Sequence, residues 1–150
     1  MEILTGIKLS KEEVMSLLTY FDDSSDIPLH EGLNFDAYSE KLSKNAYFVL
    51  AMENGLHLGF IAYYLNCEGN FAYIPQTVVH KSARHKGLGH IMFESLYKEL
   101  QEHLFGSLQL EVLKNNNYAR DFYHREGFVE KKHSNDRIGL VKIFDETGIS

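Results

Sequence analysis

Apolar positions recur along this chain in two rhythms, and the changes between them divide it into elements. Ile3 to Leu9 alternates weakly and predicts a short first strand. Ser10, with Glu13 three residues on, forms a capping box ahead of apolar residues at Val14, Leu17, Leu18 and Phe21, which predicts a first helix. Periodicity is lost from Asp22 to Asn34, a loop with Asp22, Asp23, Asp26, Glu31 and the turn signal Pro28. It returns at helical spacing from Phe35 to Asn45 through Tyr38 and Leu42. Ala46 to Met52 is an apolar, aromatic strand, Asn54-Gly55 is a hairpin signal, and Leu56 to Leu65 answers antiparallel. A turn over Cys67 to Asn70 leads to a third strand, Phe71 to Val79, completing a meander. Pro75 cannot donate to a ladder, so a bulge or local splay is expected there.

The second half alternates helix and strand. Gly87 to His103 places Leu88, Ile91, Met92, Leu96 and Leu100 on one face, with Glu94, Lys98 and Glu102 on another, and Gly106 ends it. Leu108 to Leu113 is a strand, Asn116 to Glu126 a helix stopped by Gly127, and Phe128 to Lys132 a strand. The turn Ser134-Asn135-Asp136 opens a last strand, Ile138 to Phe144. No repeat, linker or low-complexity segment interrupts this order, so residues 1 to 150 are expected to form a single α/β domain.

Composition narrows the class of protein. At 44% hydrophobic and 24% charged, the sequence is that of an ordinary globule. A net charge of −6 argues against nucleic acid as a partner. The local cluster Lys81, Arg84 and Lys86 suits a small anion better than a polymer. One cysteine, Cys67, precludes an intrachain disulfide. With no basic leader and no run of 18 apolar residues, no membrane association is expected, and a cytoplasmic location is.

The stretch Val78 to Gly89, VVHKSARHKGLG, reads as strand, loop and helix start. Exposed amides at a helix N-terminus form an anion site, and glycine lets a phosphate approach the backbone closely. A Walker loop is excluded, because Lys86 precedes its glycine, and the dinucleotide fingerprint fails at His85. What remains is Arg84-x-x-Gly87-x-Gly89. A second stretch follows, with Leu110-Glu111-Val112, Asn116, Ala119, Phe122-Tyr123 and Gly127-Phe128. Together, in this order and spacing, the two resemble the pyrophosphate motif and the later segment of the GNAT superfamily of acetyl-CoA-dependent N-acetyltransferases. The likeness is close over residues 70 to 130 and general elsewhere.

That resemblance implies a mixed, mostly antiparallel central sheet with splayed central strands, flanked by helices, the pantetheine of CoA lying in the splay. It implies acetyl-CoA as co-substrate and an amine as acceptor, either a small molecule or a peptide, with a homodimer left open. Thr77, Val78, Val79, Arg84, His85, Lys86, Gly87, Leu88, Gly89, His90, Asn116 and Tyr123 would then bind the cofactor. Tyr123 stands where the family's thiolate-protonating tyrosine stands, and its alternative is a core residue beside Phe122 and Phe128. Glu111 occupies the place of a general base in the similar ribosomal-protein N-acetyltransferases; its alternative is a carboxylate pinned by backbone amides. Asn116 is either a cofactor contact or a helix N-cap, or both.

Many relatives have Pro-Glu at Lys81-Ser82 and a small residue at His85, which bears on loop stiffness. A non-catalytic acyl-CoA binding or sensing module would keep the Arg84 to Gly89 loop and dispense with the proton donor. His80, His85 and His90 are five apart, so no helical metal pair arises, no metal is expected, and all read as polar surface together with His124. Tyr63, Tyr64 and Tyr73 line either an acceptor cleft or plain core. The acidic loop Asp22 to Asp36 is either a solvated surface or a reader of cationic acceptors.

Overall fold

The computed structural model describes residues 1–24 and 28–144 of the chain. In order the elements are β1 (Glu2–Ile7), α1 (Lys11–Tyr20), α2 (Leu29–Gly32), α3 (Phe35–Asn45), β2 (Ala46–Glu53), β3 (Leu56–Asn66) and β4 (Phe71–Val79). A 3₁₀ turn (Lys81–Ala83), α4 (Leu88–Glu102), β5 (Ser107–Leu113), α5 (Asn117–Arg125), β6 (Val129–His133) and β7 (Arg137–Ile143) follow. The seven strands make one mixed sheet in the order β1-β2-β3-β4-β5-β7-β6. It is mostly antiparallel, with β4 parallel to β5. The chain divides into two compact units, Met1–Tyr63 with Gln76–Tyr97, and Tyr64–Pro75 with Lys98–Ser150.

In the first unit, local sequence signals become local structure directly. The Glu13 amide donates to the Ser10 hydroxyl at 3.2 Å, and the Ser10 amide donates back to the Glu13 carboxylate at 2.9 Å, closing the predicted capping box. Val14, Leu17 and Leu18 are the buried face of α1. Phe21 follows them into the core against Phe60, whose ring lies 5.3 Å away, with Phe48 beyond at 6.2 Å. The tight turn between β2 and β3 needs two left-handed residues, and Asn54 (φ 51°) and Gly55 (φ 77°) supply them.

The stretch from Asp22 to Asn34 is not wholly irregular. It contains the single helical turn α2, and the Asp22 carboxylate gathers the His30 amide at 2.8 Å and its Nδ1 at 2.7 Å. A four-residue turn is too short to show periodicity. Asp26 lies outside the described residues.

The second unit is built on β5 and β7, which pair antiparallel from Ser107↔Ile143 to Leu113↔Arg137. β6 adds to β7 with a register break between Glu130 and Lys132. The parallel ladder of β4 with β5 runs from Phe71↔Ser107 to Ile74↔Leu110 and stops one residue before Pro75. Proline has no N–H, so on the β5 side the end of pairing removes the conflict its position raised.

Alternation assigns the two faces of this sheet. Leu108, Leu110, Val112, Ile138 and Leu140 are buried on one. Lys142 shares that face, opposite Leu108, and its ammonium donates to the Glu126 carbonyl at the end of α5 at 2.6 Å. Glu130, opposite Leu140, takes Arg120 of α5 at 3.1 Å. Helix α5 therefore covers the buried face. Gln109, Glu111, Leu113, Arg137, Gly139 and Val141 belong to the other.

One expectation for α4 is corrected. Its buried stripe is Leu88, Met92, Phe93, Leu96, Tyr97 and Leu100, whereas Ile91 is 41% exposed. A sequence wheel fixes the spacing of a stripe but not the angle at which its neighbours meet it, and here the contact surface turns toward Phe93 and Tyr97.

Candidate active site

The anion loop belongs to the first unit. β4 ends at Val79, the His80 amide donates to the Leu58 carbonyl at 2.8 Å, and one 3₁₀ turn intervenes before Arg84. The loop then reverses through two left-handed residues, His85 (φ 62°) and Gly87 (φ 79°). Gly87 is free to adopt this angle; His85 adopts it against the ordinary preference of a side chain. The first α4 bond runs from the Ile91 amide to the Gly87 carbonyl at 3.2 Å. Gly87 thus stands at the cap position and brings no side chain of its own to it, and the amides of Leu88, Gly89 and His90 open the helix. Backbone donors around such a turn, at the positive end of a fifteen-residue helix, suit a phosphate.

The side chains around this loop mostly shape it. Arg84 Nε donates to the Val79 carbonyl at 3.4 Å and Lys86 Nζ to the Ser82 carbonyl at 3.2 Å, so both cations are folded back on the loop. Val78 is buried, and its carbonyl is so close to β3 that a Cβ on Gly59 would lie 2.9 Å from it. The Thr77 hydroxyl is shielded from water and has no hydrogen-bond partner among the described residues. A buried, unsatisfied hydroxyl beside a backbone anion loop fits a polar ligand.

His80 is not plain polar surface. It is half-buried, its ring stacks on Tyr20 at 5.4 Å, and its Nδ1 accepts the Ser82 amide at 3.2 Å, capping the 3₁₀ turn. Lys81 pairs with Asp23 at 2.8 Å. These contacts hold the loop against α1 and its own 3₁₀ turn. Asp36, for its part, pairs with Lys11 at 2.9 Å. The described aspartates of the acidic segment therefore have partners within the chain, and their carboxyls are held below the usual range at Asp22 by the His30 hydrogen bonds and at Asp23 by Lys81. That favours the solvated-surface reading of the segment over a reader of cations.

The expected catalytic residues belong to the second unit. Tyr123 is buried, edge-on to Phe122 at 5.1 Å and to Phe128 at 5.3 Å, as its core alternative requires. The Asn116 side chain accepts the Ala119 amide at 3.1 Å, so the N-cap reading holds. Glu111 is exposed in β5, two residues before its end, and no hydrogen bond or ion pair among the described residues engages its carboxylate. The alternative of a carboxylate pinned by backbone amides is therefore not what the structure shows.

Tyr73, the register partner of Gln109, lies on the Glu111 face. Its phenol is pushed up chiefly by burial and then by the Glu111 charge, with Arg137 acting in the opposite sense. Tyr64 is raised by burial and by Tyr73. Tyr63 is buried and stacked on Tyr47 at 5.9 Å, a core residue. Arg137, Lys132 and Gly139 join Glu111 on this face through strand register, which nothing in their local pattern reveals. Among the described residues no group of three or more His, Cys, Asp or Glu could hold a metal ion, and no helix is long and apolar enough to cross a membrane.

The family model of the Acetyltransferase (GNAT) family matches residues 13–128. The chain belongs to that family of acyltransferases. In structure it is similar to the ribosomal-protein-S18-alanine N-acetyltransferase of Escherichia coli, with a TM-score of 0.79, 18% identity, and 95% of this chain and 92% of that one covered. It is also similar to the PaiA N-acetyltransferase of Thermoplasma acidophilum, a complex with coenzyme A, with a TM-score of 0.76, 18% identity, and coverage of 96% and 100%. The ribosomal-protein-alanine N-acetyltransferase of Brucella melitensis aligns at 0.72, 17% identity, and coverage of 96% and 100%. At these identities the likeness is one of fold. Among curated proteins, none matches the sequence significantly.

Proposed function

We propose that this protein transfers the acetyl group of acetyl-CoA to a primary amine by direct attack, with both substrates bound. The observation that carries the reading is the start of α4 directly behind the left-handed residues His85 and Gly87, within a chain of the GNAT family. Backbone amides of Gly87, Leu88, Gly89 and His90 would take the pyrophosphate, helped by Arg84, His85 and Lys86. Thr77, Val78, Val79 and Asn116 would take the remainder of the cofactor, and the buried Thr77 hydroxyl gains a partner in doing so. Solved relatives of the same fold include a complex with coenzyme A.

Acetyl-CoA supplies the thioester carbonyl, and the residues of this chain manage the protons. Glu111, exposed and engaged by no hydrogen bond or ion pair among the described residues, accepts a proton from the acceptor ammonium, leaving a neutral amine to form the C–N bond. The C–S bond breaks, the Tyr123 hydroxyl donates a proton to the departing thiolate, and the proton that the new amide nitrogen loses restores the phenol; phenols ordinarily have a pKa near 10 and are protonated at neutral pH. A non-catalytic acyl-CoA sensor would need the anion loop but neither a carboxylate base nor a phenol acid.

Tyr123→Phe is the test, because it keeps the ring that packs against Phe122 and Phe128. The expected result is nearly unchanged acetyl-CoA affinity and thermal stability, with kcat lowered by roughly 10² to 10⁴, the usual worth of a positioned acid. CoA-thiol release against a panel of amines, peptides and amino sugars reads it out. Wild-type turnover in the variant would remove the acid role.

A further inference from the structure

The open face of β5, β7 and β6 carries two kinds of charge with a residue lacking a side chain between them. Glu111 stands opposite Gly139, and Gly139 stands opposite Lys132. One row across three strands therefore reads carboxylate, no side chain, ammonium. Adjacent strands are about 4.8 Å apart, which puts the two charged residues about 10 Å from each other at the backbone. Arg137 lies on the same face, two residues from Gly139 and diagonal to Glu111. Tyr73 is on the far side of Glu111, its phenol influenced by both Glu111 and Arg137.

Gly139 has no conformational need to be glycine. Its φ lies outside the left-handed region, and a Cβ there would meet Lys132 Cβ at 3.4 Å, an ordinary contact. A β-branched residue would be the usual occupant of such a strand. A missing side chain in a strand otherwise marks close approach of another group. The register break between Glu130 and Lys132 adjoins this position, and breaks of that kind re-aim side chains beside sites. Glu111, Lys132 and Arg137 are long enough to pair with one another, yet no ion pair among the described residues joins them. On a chain of net charge −6, the strands here present one carboxylate against two cations.

We propose that this row is the acceptor site, and that it takes a molecule with an amine next to a carboxylate, as in a free amino acid. The amine would lie at Glu111 and the Tyr73 hydroxyl, the molecule over Gly139, and its carboxylate at Arg137 and Lys132. A peptide N-terminus has the amine without the adjacent anion and would leave the two cations without a partner. This assignment rests on the transferase reading, with Glu111 as the base of the same site.

The test uses the full-length protein loaded with CoA, titrated by NMR with the twenty free amino acids and with their carboxamides. The expected result is that at least one free amino acid binds, with its carboxamide weaker by roughly tenfold or more, the worth of a charge-assisted hydrogen-bond pair. Arg137→Ala should bring the free acid down to the level of the amide. Gly139→Val should abolish binding of both, with CoA affinity and melting temperature retained. If no free amino acid binds, if carboxamides bind equally well, or if both variants keep wild-type affinity, the assignment is overturned. Binding without CoA-thiol release from acetyl-CoA would keep the site and overturn the transferase reading instead.

Discussion

Gly59 ties the stability of the first unit to its anion loop. A Cβ built there would lie 2.9 Å from the Val78 carbonyl oxygen, 3.0 Å from Met92 Cε and 3.2 Å from Met92 Sδ. The methionine end is flexible and can swing, although Met92 is fully buried and must find other space. The carbonyl belongs to the backbone of β4 and cannot. Gly59→Ala must therefore push the end of β4 away from β3, and that strand end leads directly into the loop that turns at His85 and Gly87. Overpacking of this kind costs about 1–3 kcal/mol, which for a chain of this size lowers the melting temperature by roughly 2–12 °C. CoA affinity should fall as well, because the amides that would meet the pyrophosphate are displaced. Calorimetric unfolding and CoA titration read both quantities. A Gly59→Ala protein with wild-type melting temperature and CoA affinity would refute the claim that close approach, and not chance, keeps glycine there.

Two further outcomes follow from the sites. Gly89→Val places a β-branched side chain in the first turn of α4 and should abolish CoA binding, whereas Lys86→Ala, whose ammonium is exposed and folded onto Ser82, should weaken it only about fivefold; isothermal titration separates them. Glu111→Gln should move the rising limb of the pH–rate profile to higher pH, and should lower the Tyr73 pKa toward its ordinary value while leaving the contribution of burial, as followed by NMR of ring-labelled tyrosine. The sign is fixed by linkage. Because folding raises the Tyr73 pKa, the unfolded chain gives up its proton first, so this group's contribution to stability is intact below about pH 10 and declines as pH rises past it. An unmoved Tyr73 titration in the variant would mean that Glu111 and Tyr73 do not share a site.

Short-range chemistry was legible in the sequence. The Ser10–Glu13 capping box, the Asn54-Gly55 turn, α3 over Phe35–Asn45 and β4 over Phe71–Val79 appear where residue order predicts them, because each is decided within a few residues of itself. The loop from Arg84 to Gly89 was legible for the same reason, since glycine spacing and a helix start are local properties. Side-chain partners across the chain were not. Asp23 reads as an exposed charge until Lys81, 58 residues away, takes it, and His80 as a surface residue until Tyr20 stacks on it. Ile91 fits its helical stripe perfectly well and is still exposed, since burial depends on what the helix meets. The open face illustrates the limit best: Glu111 belongs to a recognisable motif, but Arg137, Gly139 and Lys132 join it only through strand register. Register is set by pairing between segments distant in sequence, and a shift of one residue would have turned every one of these side chains to the other side of the sheet.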